Sequence, residues 1–333
     1  MEEIDQATWD ALSADRPFSS FRWHAYAEAA MADCTPLYLL LFDKSHTIGR
    51  AAFYLVPSEP VPVQPALVRA AFQGILRRRP LLICRTPLAG LSGLVLPAPS
   101  LRAPALQAIV HAAQDWARQK SASFTLFDFV EREDTRWPDW PARFRPVEMS
   151  EPGTQMELAW PDFETYLDSL GKDGRYHYRR AMRKADELGI TIKRHSSPAY
   201  LDDALDLIHL VERDHASTPN PWTRAMVENL PLVDGTWLTA RIGERLVGCG
   251  LVLRDNGAQM ATALGLAGDV PYVYFALLYE NLKLAFEHNV HLVRLGSGAY
   301  DVKRRLGFQV EDNPNAMVLA QSRFIQALTD WLY

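Results

Sequence analysis

Cysteine is scarce. The three in 333 residues, Cys34, Cys84 and Cys249, are odd in number and far apart, which excludes a disulfide framework. No Cys-x-x-Cys pair offers a zinc or thiol-redox centre, so they read as reduced packing residues. Long apolar runs are missing too: nothing approaches the roughly 20 residues that a membrane span needs. The start, Met1-Glu2-Glu3-Ile4-Asp5, is acidic where a secretion signal is basic and then apolar, which predicts a cytoplasmic protein with no membrane span. Gly-x-Gly-x-x-Gly and the Walker lysine motif are absent, which disfavours nucleotide hydrolysis. Gly90-Leu91-Ser92-Gly93 is not a nucleophile elbow, and His209, Glu212, Asp214 and His215 are close but lack His-Glu-x-x-His spacing. No metal is expected. The net charge of -5 argues against a protein that coats nucleic acid, yet it leaves room for a local basic groove.

What is present is an ordinary globular composition, 48% hydrophobic and 23% charged, at a length better suited to two domains than to one core. Periodicity predicts two helices within residues 7–32, the second behind Ser19-Ser20, then a hairpin of strands at 36–42 and 48–56. A proline-rich loop at 57–65 leads to a helix at 66–76 that ends in Arg77-Arg78-Arg79, a cationic end favoured by the helix dipole. Strands at 81–85 and 91–96, a helix at 105–119 and a strand at 123–130 follow, and 131–153 reads as a surface connection. The same succession returns later as a hairpin of 236–241 and 245–253, a strand at 259–264, a helix at 274–288 and a strand at 291–295. The repetition predicts related folds in tandem, domains 1–153 and 154–333.

Two stretches carry chemistry. The first is Gly296-Ser297-Gly298-Ala299-Tyr300-Asp301-Val302-Lys303-Arg304-Arg305-Leu306-Gly307-Phe308, a glycine turn at a strand end with fixed positive charge behind it. The second is a helix capped by Asp173 or Gly174 and closed by Gly189. Tyr178, Ala181, Met182, Ala185 and Leu188 share its apolar face, and Arg175, Arg179, Arg180, Arg183 and Lys184 cover the rest. Cations this dense repel one another unless a polyanion or acids elsewhere answer them, so the helix is either an anion-binding face or a solvated one. His215, Asn220 and Trp222 lie on a polar loop that can wall a small-molecule pocket or simply cap and turn. Asp128, at a strand end, and Tyr300, beside the glycine turn, are candidates to deprotonate or orient an amine.

These stretches resemble the FemAB-like and CelD-like branch of the GNAT acyltransferases. Gly296, Gly298 and Lys303 fall in register with a block of the form Asp-Phe-Gly-x-Gly-x-x-x-Tyr-Lys, whereas Arg294, Leu295 and Val302 depart from it. Tyr166-Leu167-Asp168-Ser169-Leu170 and Arg179-Arg180-Ala181-Met182-Arg183-Lys184 match the branch's other block. The resemblance implies an α/β protein of two tandem GNAT-like domains, each a mixed, mostly antiparallel sheet flanked by helices. It implies an N-acyltransferase that moves an acyl or aminoacyl group onto the amine of a small molecule or cell-envelope precursor.

No permanently bound cofactor is implied; aminoacyl-tRNA or acyl-CoA would be the co-substrate, and the acceptor end of a tRNA a partner. The turn at 264–271 places Asp269 and Pro271 where CoA pyrophosphate would need N–H donors, which favours aminoacyl-tRNA. Lys303 would then stabilise charge at the donor's terminal nucleotide, with Arg304 and Arg305 steering phosphate. An acyl-CoA-dependent enzyme and a non-catalytic module that binds a polyanion are the competing readings.

Overall fold

The computed structural model describes residues 1, 4–14, 16–60, 66–132, 139–148, 151–215, 217–313 and 315–321. The chain forms two compact units, Met1–Glu151 with Asp312–Tyr333, and Pro152–Glu311. The sequence reading assigns everything after 153 to the second domain. The structure differs at the C-terminal end, where the chain returns to the first unit at Asp312 to add a strand to its sheet.

In the first unit, helices α1 (Gln6–Ala11) and α2 (Phe21–Ala30) precede a hairpin of β1 (Thr35–Asp43) and β2 (His46–Val56). Ser20 caps α2 by accepting from the amide of Trp23 at 3.1 Å. Leu37, Leu39 and Leu41 alternate along β1 and pack on the core, the period of two that a strand with one covered face requires. Next come α3 (Ala66–Arg78), with Arg77, Arg78 and Arg79 exposed at its end, β3 (Leu81–Cys84) and the short β4 (Leu94–Val95). Helix α4 (Pro99–Gln119) buries Leu106, Ile109, Val110 and Ala113 at helical spacing. It begins earlier than periodicity indicates because Pro99 fits the first turn, where no N–H is needed. Strand β5 (Phe124–Val130), β6 (Arg145–Glu148) and β14 (Asn315–Ala320) complete a sheet of order β1-β2-β3-β5-β14-β6, with β4 on β2.

The stretch 131–153 is more than a surface connection. Phe127 meets the rings of Trp140 and Phe144 at centroid distances of 5.0 and 5.6 Å, and β6 extends the sheet beyond β14. Aromatic contacts of this kind add about 0.5–1.5 kcal/mol beyond burial, which fixes the segment to the core. Residues 133–138 and 149–150 lie outside those described.

The second unit holds β7 (Thr154–Glu157), α5 (Phe163–Ser169), α6 (Gly171–Glu187), β8 (Ile190–His195), α7 (Leu201–Asp214) and α8 (Thr223–Glu228). It continues with β9 (Asp234–Ile242), β10 (Arg245–Asp255), β11 (Ala258–Leu266), α9 (Val273–Glu287), β12 (Leu292–Leu295), α10 (Tyr300–Arg305) and β13 (Gln309–Val310). The sheet order is β13-β7-β12-β11-β10-β9-β8. Helix α6 starts ahead of the Asp173 or Gly174 cap: Gly171, at φ +70°, lets α5 turn directly into it, and Gly189, at φ +71°, ends it. Ala181 and Ala185 are buried and Tyr178 and Met182 pack against the core, but Leu188, one residue past the helix, is 39% exposed and leaves that face.

Both units repeat one scheme: an antiparallel hairpin, a third antiparallel strand, a helix, then a strand parallel to the third. In the first, β3 pairs with β2 and runs parallel to β5; in the second, β11 pairs with β10 and runs parallel to β12. Among the described residues no helix is long and apolar enough to cross a membrane.

Candidate active site

The second unit's parallel pair opens the site. β11 and β12 hold register from Ala258 against Leu292 to Ala261 against Leu295 and then separate. β11 runs on to Leu266 with Ala263 at φ +49°, while the other chain turns off at Gly296. Parallel sheets place ligands at strand carboxyl ends where neighbours diverge. The 296–299 turn stands at that divergence and is exposed.

Its conformation is set from beneath by Lys303. The lysine is 5% exposed, and its ammonium donates to the carbonyl oxygens of Gly296 and of Ser297, the second at 3.2 Å. In a trans peptide the C=O and the following N–H point in opposite directions. Two carbonyls drawn inward therefore turn the amides of Ser297 and Gly298 outward, as paired donors for an anionic oxygen. Gly298, at φ +80°, supplies the left-handed step the turn requires. Burial pushes the Lys303 ammonium down to about 8, and the Glu311 carboxylate opposes that shift. Glu311 itself makes a paired contact with Arg294 beneath the turn, at 2.6 and 2.7 Å.

The neighbouring cations divide into engaged and unengaged groups. Arg304 pairs with Asp301 at 3.5 Å, Arg175 lies 3.5 Å from Asp168, and Glu187 takes both Arg183 and Lys184, at 3.6 and 2.6 Å. Arg179, Arg180 and Arg305 have no carboxylate partner among the described residues. On α6, against α9, lies His177, a residue the sequence reading passed over. Its Nδ1 is 3.2 Å from the Tyr279 hydroxyl and its ring packs edge-on to Phe275 at 4.8 Å. Burial, then Arg305, then Arg180 hold the imidazole below its ordinary value, so α6 and α10 direct positive charge at one place. A lone histidine in a basic run carries no signal of its own; only the approach of α10 gives it one.

Other sequence candidates do structural work. Tyr300 opens α10 and its hydroxyl donates to the Pro152 carbonyl at 2.8 Å. Asn220 accepts from the Trp222 amide at 3.0 Å and its own carbonyl accepts from the Thr223 hydroxyl at 3.1 Å, which starts α8. Trp222 is buried in the core and His215 caps α7 at its C-terminal end, so cap and turn account for this loop in place of a pocket wall. Ala216 lies outside the described residues.

Asp128 belongs to the first unit, and Lys303 and Tyr300 belong to the second. Its carboxylate accepts from Arg85 at 3.4 Å and from the Phe129 amide at 3.1 Å, and Arg85 also pairs with Glu59. Burial raises its pKa, Arg85 lowers it and Glu59 raises it again. Asp269, expected to repel pyrophosphate, is answered by Arg245 at 2.7 and 2.9 Å.

The FemAB-like family, described as peptidoglycan biosynthesis and recognition, matches residues 1–333. The chain belongs to the FemAB-like family. As a FemAB-like protein it is an acyltransferase that delivers to an amine. Among solved structures it is similar to FemX, with a TM-score of 0.64 and 12% identity over 99% of this chain and 98% of that one. A tandem GNAT protein from the clavulanic acid biosynthesis pathway gives 0.54 and 12% over 95% and 94%. L-PGS from Bacillus licheniformis gives 0.53 and 11% over 98% and 95%. At such identities the likeness is one of fold, and the fold is the tandem GNAT one. No curated protein sequence matches the FemAB-like chain significantly.

Proposed function

We propose that this FemAB-like protein transfers an aminoacyl group from aminoacyl-tRNA to the amine of a peptidoglycan precursor. One observation carries the choice of donor: Arg179 and Arg180 on α6 and Arg305 on α10 lack carboxylate partners among the described residues, and Arg180 and Arg305 act on the same histidine. Unpaired guanidinium groups on two elements suit a polyanion better than a single thioester.

In this reading the acceptor nitrogen attacks the ester carbonyl carbon. The amides of Ser297 and Gly298 receive the developing oxyanion, and Lys303 orients them and supplies charge. The C–O bond to the terminal ribose breaks as the amide bond forms. The proton lost by the amine reaches the departing ribose oxygen through His177, whose neutral imidazole can accept it at neutral pH. Tyr300 and Asp128 take positioning and structural parts, and Arg304 adds charge at the rim.

The test is the salt dependence of tRNA binding. Arg180→Gln with Arg305→Gln is expected to weaken binding of an aminoacyl-tRNA and to flatten the plot of log K against log salt by about 1.4, roughly 0.7 per lost phosphate contact. An unchanged slope in the double variant contradicts the donor assignment. The ion pair of Asp269 with Arg245, together with the uncapped start of α9, supports acyl-CoA as a second reading, because the charge objection at that turn is removed.

A further inference from the structure

One edge of the first unit's sheet is open. β1 pairs with β2 along its length, and among the described residues no backbone group of Thr35–Asp43 bonds to any other segment. The half-burial of every residue from Pro36 to Leu41 agrees with an uncovered edge. In the second unit the corresponding strand, β9, is not left this way: β8 pairs with it from Ile190 against Ile242 to His195 against Trp237. The first unit thus lacks the strand that completes the second, and β1 ends its sheet instead.

The other outermost strands carry the devices that keep edges unpaired. β8 has Lys193, β6 has Arg145 and Glu148, and β13 is two residues long. β1 has none of these between Leu37 and Phe42. Thr35–Phe42 holds no charged side chain, Pro36 blunts only the first rung, and the one bulge of the hairpin puts its extra residue, Ile48, on β2. The strand is also anchored: Leu37, Leu39 and Leu41 pack on the core, while on the opposite face Tyr38 donates to Glu28 at 2.7 Å and lies edge-on to Trp9 at 5.1 Å.

Such an edge suits a strand of the same sequence. Antiparallel pairing across a two-fold centred on Leu39 sets Leu39 against Leu39 and Leu37 against Leu41 on the core face, with Tyr38 against Leu40 on the other. It also brings Phe42, a ring 59% exposed, against Pro36. No like charges meet, because the strand is neutral up to Asp43 and Asp43 falls opposite Thr35. Moving the centre to Leu40 would set Asp43 against Leu37, so charge fixes the register.

We propose that β1 is the docking edge for a second copy of this chain, whose own β1 pairs with it antiparallel about Leu39 and joins the two first-unit sheets into one. The pairing supplies the kind of strand that β8 supplies in the second unit. One strand a side falls short of the roughly 20–30 residues of a standard interface, so the dimer is reversible, with a Kd of about 1–100 μM. The reading of the transfer turn does not depend on it, and its failure leaves that reading intact.

The test is sedimentation velocity of the full chain from about 1 to 200 μM, with hydrogen exchange measured at both ends of that range. The wild type is expected to pass reversibly from monomer to dimer, and the edge-facing amides within 37–42 to exchange at least about tenfold more slowly at the higher concentration. Phe42→Lys, at an exposed side chain, is expected to weaken the dimer at least about tenfold, since it removes the ring set against Pro36 and adds a cation at each end of the contact. Leu40→Lys is expected to do the same nearer the centre. Circular dichroism checks both folds, and Phe42→Lys decides if Leu40→Lys does not fold. A monomer throughout, which would leave the edge to a strand of another protein, overturns the proposal. So does a dimer in which the 37–42 amides exchange unchanged, or one that Phe42→Lys forms with wild-type affinity.

Discussion

Lys303→Met is expected to lower turnover by roughly 10²- to 10³-fold while the fold persists, the loss seen when a donor to a developing oxyanion is removed. Methionine keeps the length and apolar stem that fill the buried position. It removes the ammonium that draws the carbonyls of Gly296 and Ser297 inward, and with it the outward aim of the next two amides. The damage should fall on turnover more than on donor affinity, because Arg179, Arg180 and Arg305, which lack carboxylate partners among the described residues, are untouched. Titration gives an independent reading. Burial places Lys303 at about 8, so wild-type turnover should decline as pH rises through about 8 where the cation is needed, and the residual turnover of Lys303→Met should lack that limb.

Stability moves in the opposite sense. The folded value lies below the ordinary lysine value of 10.5, so between about 8 and 10.5 the unfolded chain holds more protons than the folded one. Below about 8 the buried charge costs stability in full. Wild-type stability relative to Lys303→Met should therefore rise with pH across that window. Wild-type turnover in the variant, or a flat stability difference, contradicts the role given to Lys303.

Glu311→Ala is expected to destabilise the protein by about 3–5 kcal/mol, among the largest single losses a folded domain shows. Arg294 and Glu311 are 5% and 6% exposed and meet through two short bonds, so removing the acid leaves a guanidinium buried without its carboxylate. The Glu311 amide also donates to the Gly153 carbonyl at 3.0 Å, and a side chain at Gly153 would meet Glu311 Oε2 at 2.7 Å. Space and charge at this corner are thus matched to one carboxylate. Arg294→Met with Glu311→Met should recover most of the loss, because packing two apolar chains removes both desolvation penalties. Urea unfolding of the single and double variants decides it: a loss below about 1 kcal/mol in Glu311→Ala would show that the pair is dispensable.

Local period made most elements legible. Leu37, Leu39 and Leu41 announced a strand, and Leu106, Ile109, Val110 and Ala113 a helix, because one covered face imposes a period of 2 or 3.6. Pairing over long separations was not legible. β14 joins β5 across the entire second unit, with Ala320 opposite Phe124, and nothing within 315–320 names that partner. β8 was missed because its solvent-facing residues leave only a weak apolar alternation.

The candidate site divides in the same way. Gly298 and Lys303 could be found from a glycine turn with a following cation, and the basic helix from its composition. The inward grip of Lys303 on two carbonyls could not, nor could the acid that answers Arg294, which lies 17 residues away on another segment. Asn220 and Trp222 allow a pocket wall or a cap and turn from sequence, and only their hydrogen bonds and burial give the cap its support.

The most direct test offers the protein one amine-bearing peptidoglycan precursor peptide with either an aminoacyl-tRNA or acetyl-CoA, and follows amide formation by mass spectrometry. The account predicts an aminoacylated peptide from the tRNA and no acetylated one from acetyl-CoA. Acetyl transfer without aminoacyl transfer would contradict it.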